Sequence, residues 1–415
     1  MIAWLLISFF VLLFLGVPIA MSLGLSAMGG ILFLGGGSTV TIAQRMFEGM
    51  NSFALLAIPL YTFAGFTMSK GGISKRLMDF CYSIVGHIYG GLAHVNVLSS
   101  MIFAGISGSA VADTAGVSGM FMPEMVRKGY SKNFTVAVTA ISSTIGIIIP
   151  PSIPMVVIAG ICGISTGKLF LGGIIPGVLC GLAQMIVSYF MAKKEGVPKE
   201  PGHFTIGPVL HGLWESWPAL LMPIIIVGTI TMGIVSPTEA GVIAVVYGLF
   251  AGGIIYRELK WEDIKFAFAE TVRTSGRIFI VIGAAKLYTV MLTTAGFDKW
   301  VAKTMLGFST NPTVILIVIL LIFFIVTMFM ESIATLTLFM PILYPIALGV
   351  GINPIVLSVL ITVVIGVGLV TPPVGMCIYV ACDLMDVTVG EVFPTLVPFI
   401  AATFVCIALM VAFPQ

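Results

Sequence analysis

Long apolar runs separated by short polar breaks recur along the whole chain. Many reach roughly 18 residues, the length at which a helix can cross a bilayer. The most polar connection is "AKKEGVPKEPGH", from Ala192 to His203, which carries charges and two prolines and divides the chain nearly in half. The pattern predicts an all-α polytopic membrane protein, although several segments are too short or too interrupted to be simple spans. The candidate segments lie near residues 2–35, 53–69, 77–112, 114–126, 134–165, 169–192, 215–235, 238–256, 277–296, 313–330, 332–350, 355–369, 373–386 and 392–413.

Composition points the same way, because 59% of the residues are hydrophobic and only 9% are charged. A soluble domain carries about 25% charged residues. The net charge is only +2 and the sequence contains no basic patch, so no nucleic-acid partner is expected. The opening "MIAWLLISFF" lacks a charged n-region and a cleavage site, which predicts a retained first helix. The six cysteines show no CxxC spacing and the four histidines form no ligand pattern, so we expect apolar cysteines and no structural metal.

The two halves of the chain resemble one another. "LGVPIAMSLGLSAMGGILF" (Leu15–Phe33) aligns with "MGIVSPTEAGVIAVVYGLF" (Met232–Phe250). "SGSAVADTAGVSGMFMP" aligns with "IVTMFMESIATLTLFMP", which places Asp113 opposite Glu331. "IGIIIPPSIP" aligns with "VGLVTPPVGM". Three matches in the same order at a roughly constant offset indicate an internal duplication, which is typical of secondary transporters with a substrate site between the repeats.

Two amphipathic stretches also correspond, "TIAQRMFEGM" (Thr41–Met50) and "KWEDIKFAFAETVRT" (Lys260–Thr274). Each mixes charges with apolar residues at helical spacing and precedes a membrane segment, which favours helices lying along the bilayer surface over solvated loops. The basic residues of the central linker place it on the cytoplasmic side by the positive-inside rule.

The stretch "VSPTEAG" (Val235–Gly241) has the pattern of a helix start. Ser236 would be the N-cap, Pro237 the first helical residue and Glu239 the third position of a capping box. The signal is mainly structural.

Two double prolines, Pro150-Pro151 and Pro372-Pro373, follow glycine-containing apolar runs. Proline has no N–H, so carbonyls four residues earlier lose their partners if the segment is helical. Those carbonyls belong to Gly146 and Ile147 in one half and to Gly368 and Leu369 in the other. Such groups persist in a membrane where they line a cavity, and transporters use them to hold coupling ions. A kink or turn without a ligand is the alternative.

Two acidic residues lie within apolar surroundings and beside small hydroxyl side chains. Asp113 has Ser107, Ser109 and Thr114 as neighbours, and Glu331 is followed by Ser332, Thr335 and Thr337. A charge at the bilayer centre costs on the order of 2.5–3.5 kcal/mol, which favours burial in a bundle or a wet cavity. If each segment turns back on itself, its tip can receive an anionic substrate or a cation. A salt bridge to a neighbouring helix is the alternative for either acid.

Enzymatic motifs are missing from the sequence. "GISGS" is not a nucleophile elbow, and the chain has no HExxH, P-loop or dinucleotide fingerprint. Transport would therefore be driven by an ion gradient rather than by ATP on this chain. An intramembrane hydrolase using Ser107 or Ser109 with Asp113 would lack a nearby histidine base, so no enzyme is expected.

Several motifs together resemble the large membrane subunit of tripartite ATP-independent periplasmic (TRAP) transporters, and the resemblance covers essentially the whole chain. They are "LLAIPLYTFAGFTMSKGGISKRL", "GHIYGGLAHVNVLSSMIFAGISGSAVADTAG", "IGIIIPPSIPMVV", "GIVSPTEAGVIAVVYGL" and "GVGLVTPPVGMCIYV". The resemblance implies Na⁺-coupled uptake of a carboxylate-bearing molecule of the sialic-acid or C4-dicarboxylate class. It also implies a separate small four-helix membrane subunit, a periplasmic substrate-binding protein and a location in the bacterial inner membrane. A stand-alone Na⁺/carboxylate symporter remains the alternative.

The resemblance implies a fold of two inverted repeats, each with a re-entrant helical hairpin. It also implies an elevator mechanism, in which a mobile transport domain that carries both hairpins moves against a scaffold. Mapped here, the hairpins span roughly Asn96–Lys128 and Lys299–Ile346. The expected divisions are 1–95 (scaffold helices and first arm helix), 96–192 (first transport half with hairpin 1), 193–204 (linker), 205–298 (scaffold helices and second arm helix) and 299–415 (second transport half with hairpin 2).

The resemblance also assigns site residues. Substrate-binding positions are expected at Ser107, Ser109, Asp113, Thr114, Pro151, Ser332, Thr335 and Pro373. Two or more Na⁺ ions are expected, with ligands among Ser107, Gly108, Ser109, Gly146 and Pro150 at the first tip, and Glu331, Gly366, Gly368 and Thr371 at the second. The first tip is rich in glycine and serine whereas "TMFMES" is bulkier, so the substrate is expected nearer one tip.

Overall fold

The computed structural model describes residues 1–34, 38–197 and 205–413, and the regular structure of these residues is helical. Short 3₁₀ turns occupy Phe53–Leu56 and Thr144–Ile147, and a π-helical turn occupies Ala251–Ile255. The helices of the first half are α1 (Ile2–Phe14), α2 (Ile19–Leu34), α3 (Thr39–Met50), α4 (Ala57–Lys70), α5 (Ile73–Val85), α6 (Gly91–Ser107), α7 (Ala110–Arg127), α8 (Lys132–Ser143), α9 (Ile153–Cys162) and α10 (Thr166–Glu195). Those of the second half are α11 (Ile206–Thr231), α12 (Pro237–Phe250), α13 (Trp261–Thr294), α14 (Phe297–Phe308), α15 (Pro312–Thr327), α16 (Ser332–Gly349), α17 (Pro354–Gly368), α18 (Met376–Met385) and α19 (Val389–Ala412).

Seven helical segments in the described part of the chain are long and apolar enough to cross a membrane. They are Phe53–Lys70, Thr166–Glu195, Ile206–Thr231, Pro237–Ile255, Trp261–Thr294, Ser332–Gly349 and Val389–Ala412. Large apolar side chains such as Ile175 and Trp214 remain about three-quarters exposed, at 77% and 76%. In water such a surface would be unfavourable, whereas lipid tails can cover it. The chain is a multi-pass membrane protein, as the sequence predicts.

The same order of elements occurs in both halves. Helices α6 and α7 form one hairpin and α15 and α16 form another. Each hairpin is followed by a helix that breaks at a double proline, α8 to α9 in the first half and α17 to α18 in the second. A long apolar helix then closes each half, α10 or α19. The order agrees with the duplication read from the sequence.

The hairpin bounds differ from the expected ones. The first hairpin begins earlier than Asn96, because α6 starts at Gly91 after a left-handed glycine, Gly90. The second begins at Pro312 rather than Lys299, since Ser309–Asn311 end α14 and Asn311 caps α15. Helix α14 is therefore separate from the second hairpin.

Both amphipathic stretches are helical, which excludes the loop alternative. Helix α3 is a separate element with no fully buried residue. The second stretch, by contrast, continues into the following span as the single 34-residue helix α13. No proline or left-handed glycine interrupts that segment, so nothing ends the helix between its amphipathic and apolar parts.

The region around the central linker is only partly described. Helix α10 continues through Glu195 and ends at Gly196 in a left-handed cap, so the first residues of the expected 193–204 linker are helical. Residues 198–204 lie outside the described part of the chain. Further on, Ser236, Pro237 and Glu239 form the predicted helix start, with both hydrogen bonds of the capping box present.

Buried apolar side chains form two clusters. The larger joins both hairpins, both broken helices and α10 and α19. The smaller one packs α1 and α2 against the second part of α13 and α16. The cysteines in the larger cluster, such as Cys180 and Cys377, are buried among apolar residues as expected.

Candidate functional site

The two hairpin tips face one cavity of about 540 Å³. The first tip contributes Ser107, Gly108 and Ser109, and the second contributes Glu331 and Ser332. Helices α4 and α13 also contribute to the cavity wall. The geometry brings together two helix breaks that lie more than two hundred residues apart in the sequence.

The first tip is a tight turn between α6 and α7. Gly108 adopts a left-handed conformation with φ of 64°, and a Cβ at this position would lie 2.7 Å from the Pro151 carbonyl oxygen. Glycine is therefore required both by the backbone angle and by the close approach of the double-proline segment. The Ile153 N–H donates to the Gly108 carbonyl at 3.1 Å, which connects the tip to the broken helix behind it.

Asp113 lies directly behind this tip and is fully buried. Ser107 Oγ donates a hydrogen bond to its Oδ1, while Oδ2 has no hydrogen-bond partner among the described residues. Oδ2 points at Gly146 so closely that a Cβ there would collide with the carboxylate. A buried carboxylate oxygen without a donor is costly, so this position suits a cation or a proton.

Thr114 belongs to the same buried layer rather than to the cavity wall. Its hydroxyl lies 2.6 Å from Ser143 Oγ and donates to the Ala110 carbonyl at 2.8 Å. The Cys377 thiol lies beside both hydroxyls. Helix α18 of the second half thus packs against the first tip.

The helix breaks leave different carbonyls free from those expected. The Ile147 carbonyl accepts from Ser152 Oγ at 2.5 Å, and the Gly368 and Leu369 carbonyls accept from Thr371 N–H at 3.1 Å and Cys377 N–H at 2.9 Å. The prediction that these three carbonyls are free was wrong, because residues that follow each helix donate hydrogen bonds to them. Among the described residues, none donates to the carbonyls of Gly146 or Gly366. They do not occupy matching places, because Gly146 lies four residues before its double proline and Gly366 lies six residues before its own.

The second tip is built around Glu331, which caps α16. Its carboxylate accepts from the Ile333 N–H at 2.8 Å and from Ser332 Oγ at 2.7 Å. The N-terminus of α16 therefore compensates this charge, and no ion pair with a neighbouring helix is needed. The Val374 N–H donates to the Met328 carbonyl at 3.0 Å, so this tip also connects to its own broken helix.

The second break packs tightly against neighbouring elements. A Cβ on Gly368 would lie 2.7 Å from Thr327 Cβ at the end of α15, and one on Gly366 would lie 3.3 Å from Thr144 Cβ in the first half. Thr371 Oγ1 donates to the Val367 carbonyl at 2.7 Å. The two breaks therefore touch each other at Gly366.

The expected site residues separate into two layers. Ser107, Gly108, Ser109, Glu331 and Ser332 line the cavity. The others do not line the cavity. Three are fully buried behind it: Asp113, Thr114 and Thr335. The buried helix breaks contain Gly146, Pro150, Pro151, Gly366, Gly368 and Thr371, whereas Pro373 is exposed and lies outside the cavity lining.

Sequence reasoning missed the charged residues that α4 and α13 contribute to the cavity wall. Lys70 ends α4, and Glu270 and Arg277 lie on α13. Their only sequence signal is a charge inside or at the end of an apolar segment, and nothing in one sequence tells which cavity a helix will face.

A buried hydrogen-bond network fastens the first hairpin to α8. Asn96 Nδ2 donates to Thr139 Oγ1 at 2.7 Å, and its Oδ1 accepts from Ser142 Oγ at 3.1 Å. Ser100 Oγ donates to the same Ser142 hydroxyl at 3.0 Å. Because every member is satisfied, the network fixes the packing of these helices.

Seven candidate spans, paired hairpins and broken helices around a cavity with polar hairpin tips define a membrane transporter. Two solved transporters share the fold. YdaH of Alcanivorax borkumensis has a TM-score of 0.61 at 13% identity over 88% of this chain and 86% of that one. MtrF of Neisseria gonorrhoeae has a TM-score of 0.61 at 15% identity over 90% and 84%.

The chain belongs to the family described as "Tripartite ATP-independent periplasmic transporter, DctM component", whose profile matches residues 6–415. It is 37% identical to the isethionate TRAP transporter permease protein of Oleidesulfovibrio alaskensis over 95% of this chain, but it spans only 62% of that relative. It is 35% identical to the sialic acid large permease protein of Vibrio cholerae over 97% of this chain and 94% of the relative. These relatives are transport permeases rather than enzymes.

Proposed function

We propose that the chain is the permease subunit of an Na⁺-coupled secondary transporter that takes up a small organic acid. The observation that carries the proposal is the shared cavity: both polar hairpin tips line it, each at the start of a helix. The N-terminus of α7 carries positive partial charge, which favours an anion, whereas the N-terminus of α16 already compensates Glu331. The cavity therefore suits a molecule with an acidic group.

The relatives support an acidic substrate. Their names specify isethionate, sialic acid and C4-dicarboxylate transport. We propose a carboxylate-bearing substrate of the sialic-acid or C4-dicarboxylate class, held by the serines of the tips, Ser107, Ser109 and Ser332. Because an isethionate transporter is also similar, a sulfonate belongs among the acids to be tested.

For the coupling ion, we propose a first Na⁺ position beside Asp113. The unpaired Oδ2 of Asp113, the free Gly146 carbonyl and the Ser107 hydroxyl are hard oxygen donors of the kind that suits Na⁺. The ion would neutralise a buried negative charge when bound. A second position would use the free Gly366 carbonyl and Thr371, near Glu331.

The protein's own contacts explain how ion and substrate sites could be coupled. Ser107 lines the cavity and also donates its hydroxyl to Asp113. When a cation or a proton neutralises Asp113, the hydrogen bond from the Ser107 hydroxyl changes, and this changes the hydrogen-bond donor that the tip offers to the substrate. An ion shifts the equilibrium only if it binds the substrate-competent state better, so ordering of this serine would provide the differential affinity.

The movement we propose is an elevator of two inverted repeats. The hairpins and broken helices would move as the transport domain past a scaffold that includes α4 and the membrane part of α13. A small four-helix membrane subunit and a periplasmic binding protein would complete the system in the bacterial inner membrane.

The test is uptake into proteoliposomes with an imposed Na⁺ gradient, using succinate, N-acetylneuraminate and isethionate as probes. We expect accumulation only with the chain, its small subunit and its binding protein together. Uptake by the isolated chain would instead support the stand-alone symporter.

The ion site has its own test. Asp113→Ala and Ser109→Ala should weaken the Na⁺ dependence of uptake, whereas Gly119→Ala, on the same hairpin with nothing within 4 Å of the added methyl, should not. An unchanged Na⁺ response in both hairpin variants would remove this hairpin from the ion site.

A further inference from the structure

One face of α13 forms part of the cavity wall. Phe266, Glu270, Thr274, Arg277 and Ile278 line the cavity. These residues are spaced three to four apart or adjacent, so they share one side of the helix. Arg277 thus lines the same cavity as the serines of both tips.

The acidic residues of this cavity are already engaged. Glu270 accepts an ion pair from Arg273 at 2.5 Å, and Glu331 caps α16 through the Ile333 N–H at 2.8 Å. By contrast, the side chains of Lys70 and Arg277 form no ion pair with any residue in the described part of the chain. The cavity therefore holds two cations without anionic partners.

Lys70 and Arg277 are held differently. Lys70 Nζ lies 4.8 Å from the centre of the Phe266 ring, a cation–π contact that keeps the ammonium on the cavity side of α13. Arg277 begins the apolar part of α13, and its side chain is exposed. A charge within a membrane segment is costly unless it faces water or a partner, so its position indicates use in the cavity.

We infer that Arg277, assisted by Lys70, binds the acidic group of the transported molecule from the scaffold side while the hairpin tips hold its polar remainder. This inference rests on the proposed function. The planar guanidinium can donate two parallel hydrogen bonds to a carboxylate or a sulfonate. Arg277 thus determines selection of acids over neutral molecules of similar size.

The experiment measures Na⁺-driven uptake by the complete system as a function of succinate, N-acetylneuraminate or isethionate concentration. For Arg277→Gln we expect KM to rise about tenfold, the effect of losing a charge-assisted hydrogen bond in a partly hydrated site. The Na⁺ concentration at half-maximal uptake should remain within about twofold of wild type, because the ion positions lie behind the tips. The KM of Arg277→Lys should lie between those of the wild type and Arg277→Gln. Lys70→Gln should raise KM less than Arg277→Gln does.

The matched control is Lys265→Gln, which removes one positive charge from the same helix at an exposed position outside the cavity. It should leave KM unchanged. Thermal unfolding checks that each variant is folded. The inference is overturned if Arg277→Gln keeps a wild-type KM, or if Lys265→Gln raises KM equally. Failure of the wild-type system to show any Na⁺-dependent uptake would be a different result, because it refutes the proposed function itself.

Discussion

Gly146 offers the sharpest test of the packing between the first tip and its broken helix. A Cβ at this position would lie 2.9 Å from Asp113 Cγ and closer still to Oδ2. Ordinary contacts begin near 3.4 Å, so the carboxyl group would have to retreat by about 0.5 Å at Cγ and more at its oxygen. Asp113 is fully buried and fixed by Ser107, so little room exists for that movement.

We expect Gly146→Ala to destabilise the protein by about 1–3 kcal/mol, the usual cost of overpacking a well-packed interior. The matched control is Gly119→Ala on α7, where the methyl meets nothing within 4 Å. An exposed helical glycine replaced by alanine gains about 0.5–1 kcal/mol, so the control should be neutral or stabilising. Thermal unfolding of the purified chain in detergent, monitored by tryptophan fluorescence, separates the two.

A double mutant isolates the cause. If the methyl group acts through the carboxylate, Asp113→Ala should remove most of the cost of Gly146→Ala, and the coupling should reach about 1 kcal/mol. Equal Tm shifts for Gly146→Ala and Gly119→Ala would refute the reasoning. So would an undiminished cost of Gly146→Ala when Asp113 is absent.

Two further substitutions probe the fold. Asn96→Ala should lower the free energy of unfolding by about 1–3 kcal/mol, because it removes two buried hydrogen bonds, those with Thr139 and Ser142; a wild-type Tm would mean that the network does not hold the hairpin. Ser236→Ala should lower the free energy of unfolding by about 1 kcal/mol, because α12 loses its N-cap. Ser236→Asp should retain most of the stability, because aspartate can also cap a helix. Equal losses of stability in the two variants would contradict a capping role.

Local chemistry allowed much of the fold to be predicted. The double prolines identified both helix breaks, because proline lacks the N–H that a continuous helix needs. The Ser-Gly-Ser turn at residues 107–109 and the capping pattern after Ser236 identified a hairpin tip and a helix start. Each of these signals depends on residues close together in the sequence.

Other features depend on tertiary placement and stayed hidden. The proline positions identified the free carbonyl of Gly146 but not the other carbonyls, since Ser152 Oγ and Cys377 N–H reach back to groups that a regular helix would have left unpaired. Arg277 could not be assigned to the cavity, because the direction of one face of α13 is set by packing against α4 and the smaller core. The end of α14 before the second hairpin was likewise missed.

The connection of each tip to its broken helix runs through main-chain atoms, Ile153 N–H to Gly108 and Val374 N–H to Met328. Bonds of this kind do not depend on which side chains those positions carry, apart from the glycine that the first turn requires. Cavity-facing positions such as Ser109 and Ser332 can therefore change without releasing the tips from their supports. A few substitutions at the tips can therefore change the substrate while the main-chain hydrogen bonds that hold the tips stay the same.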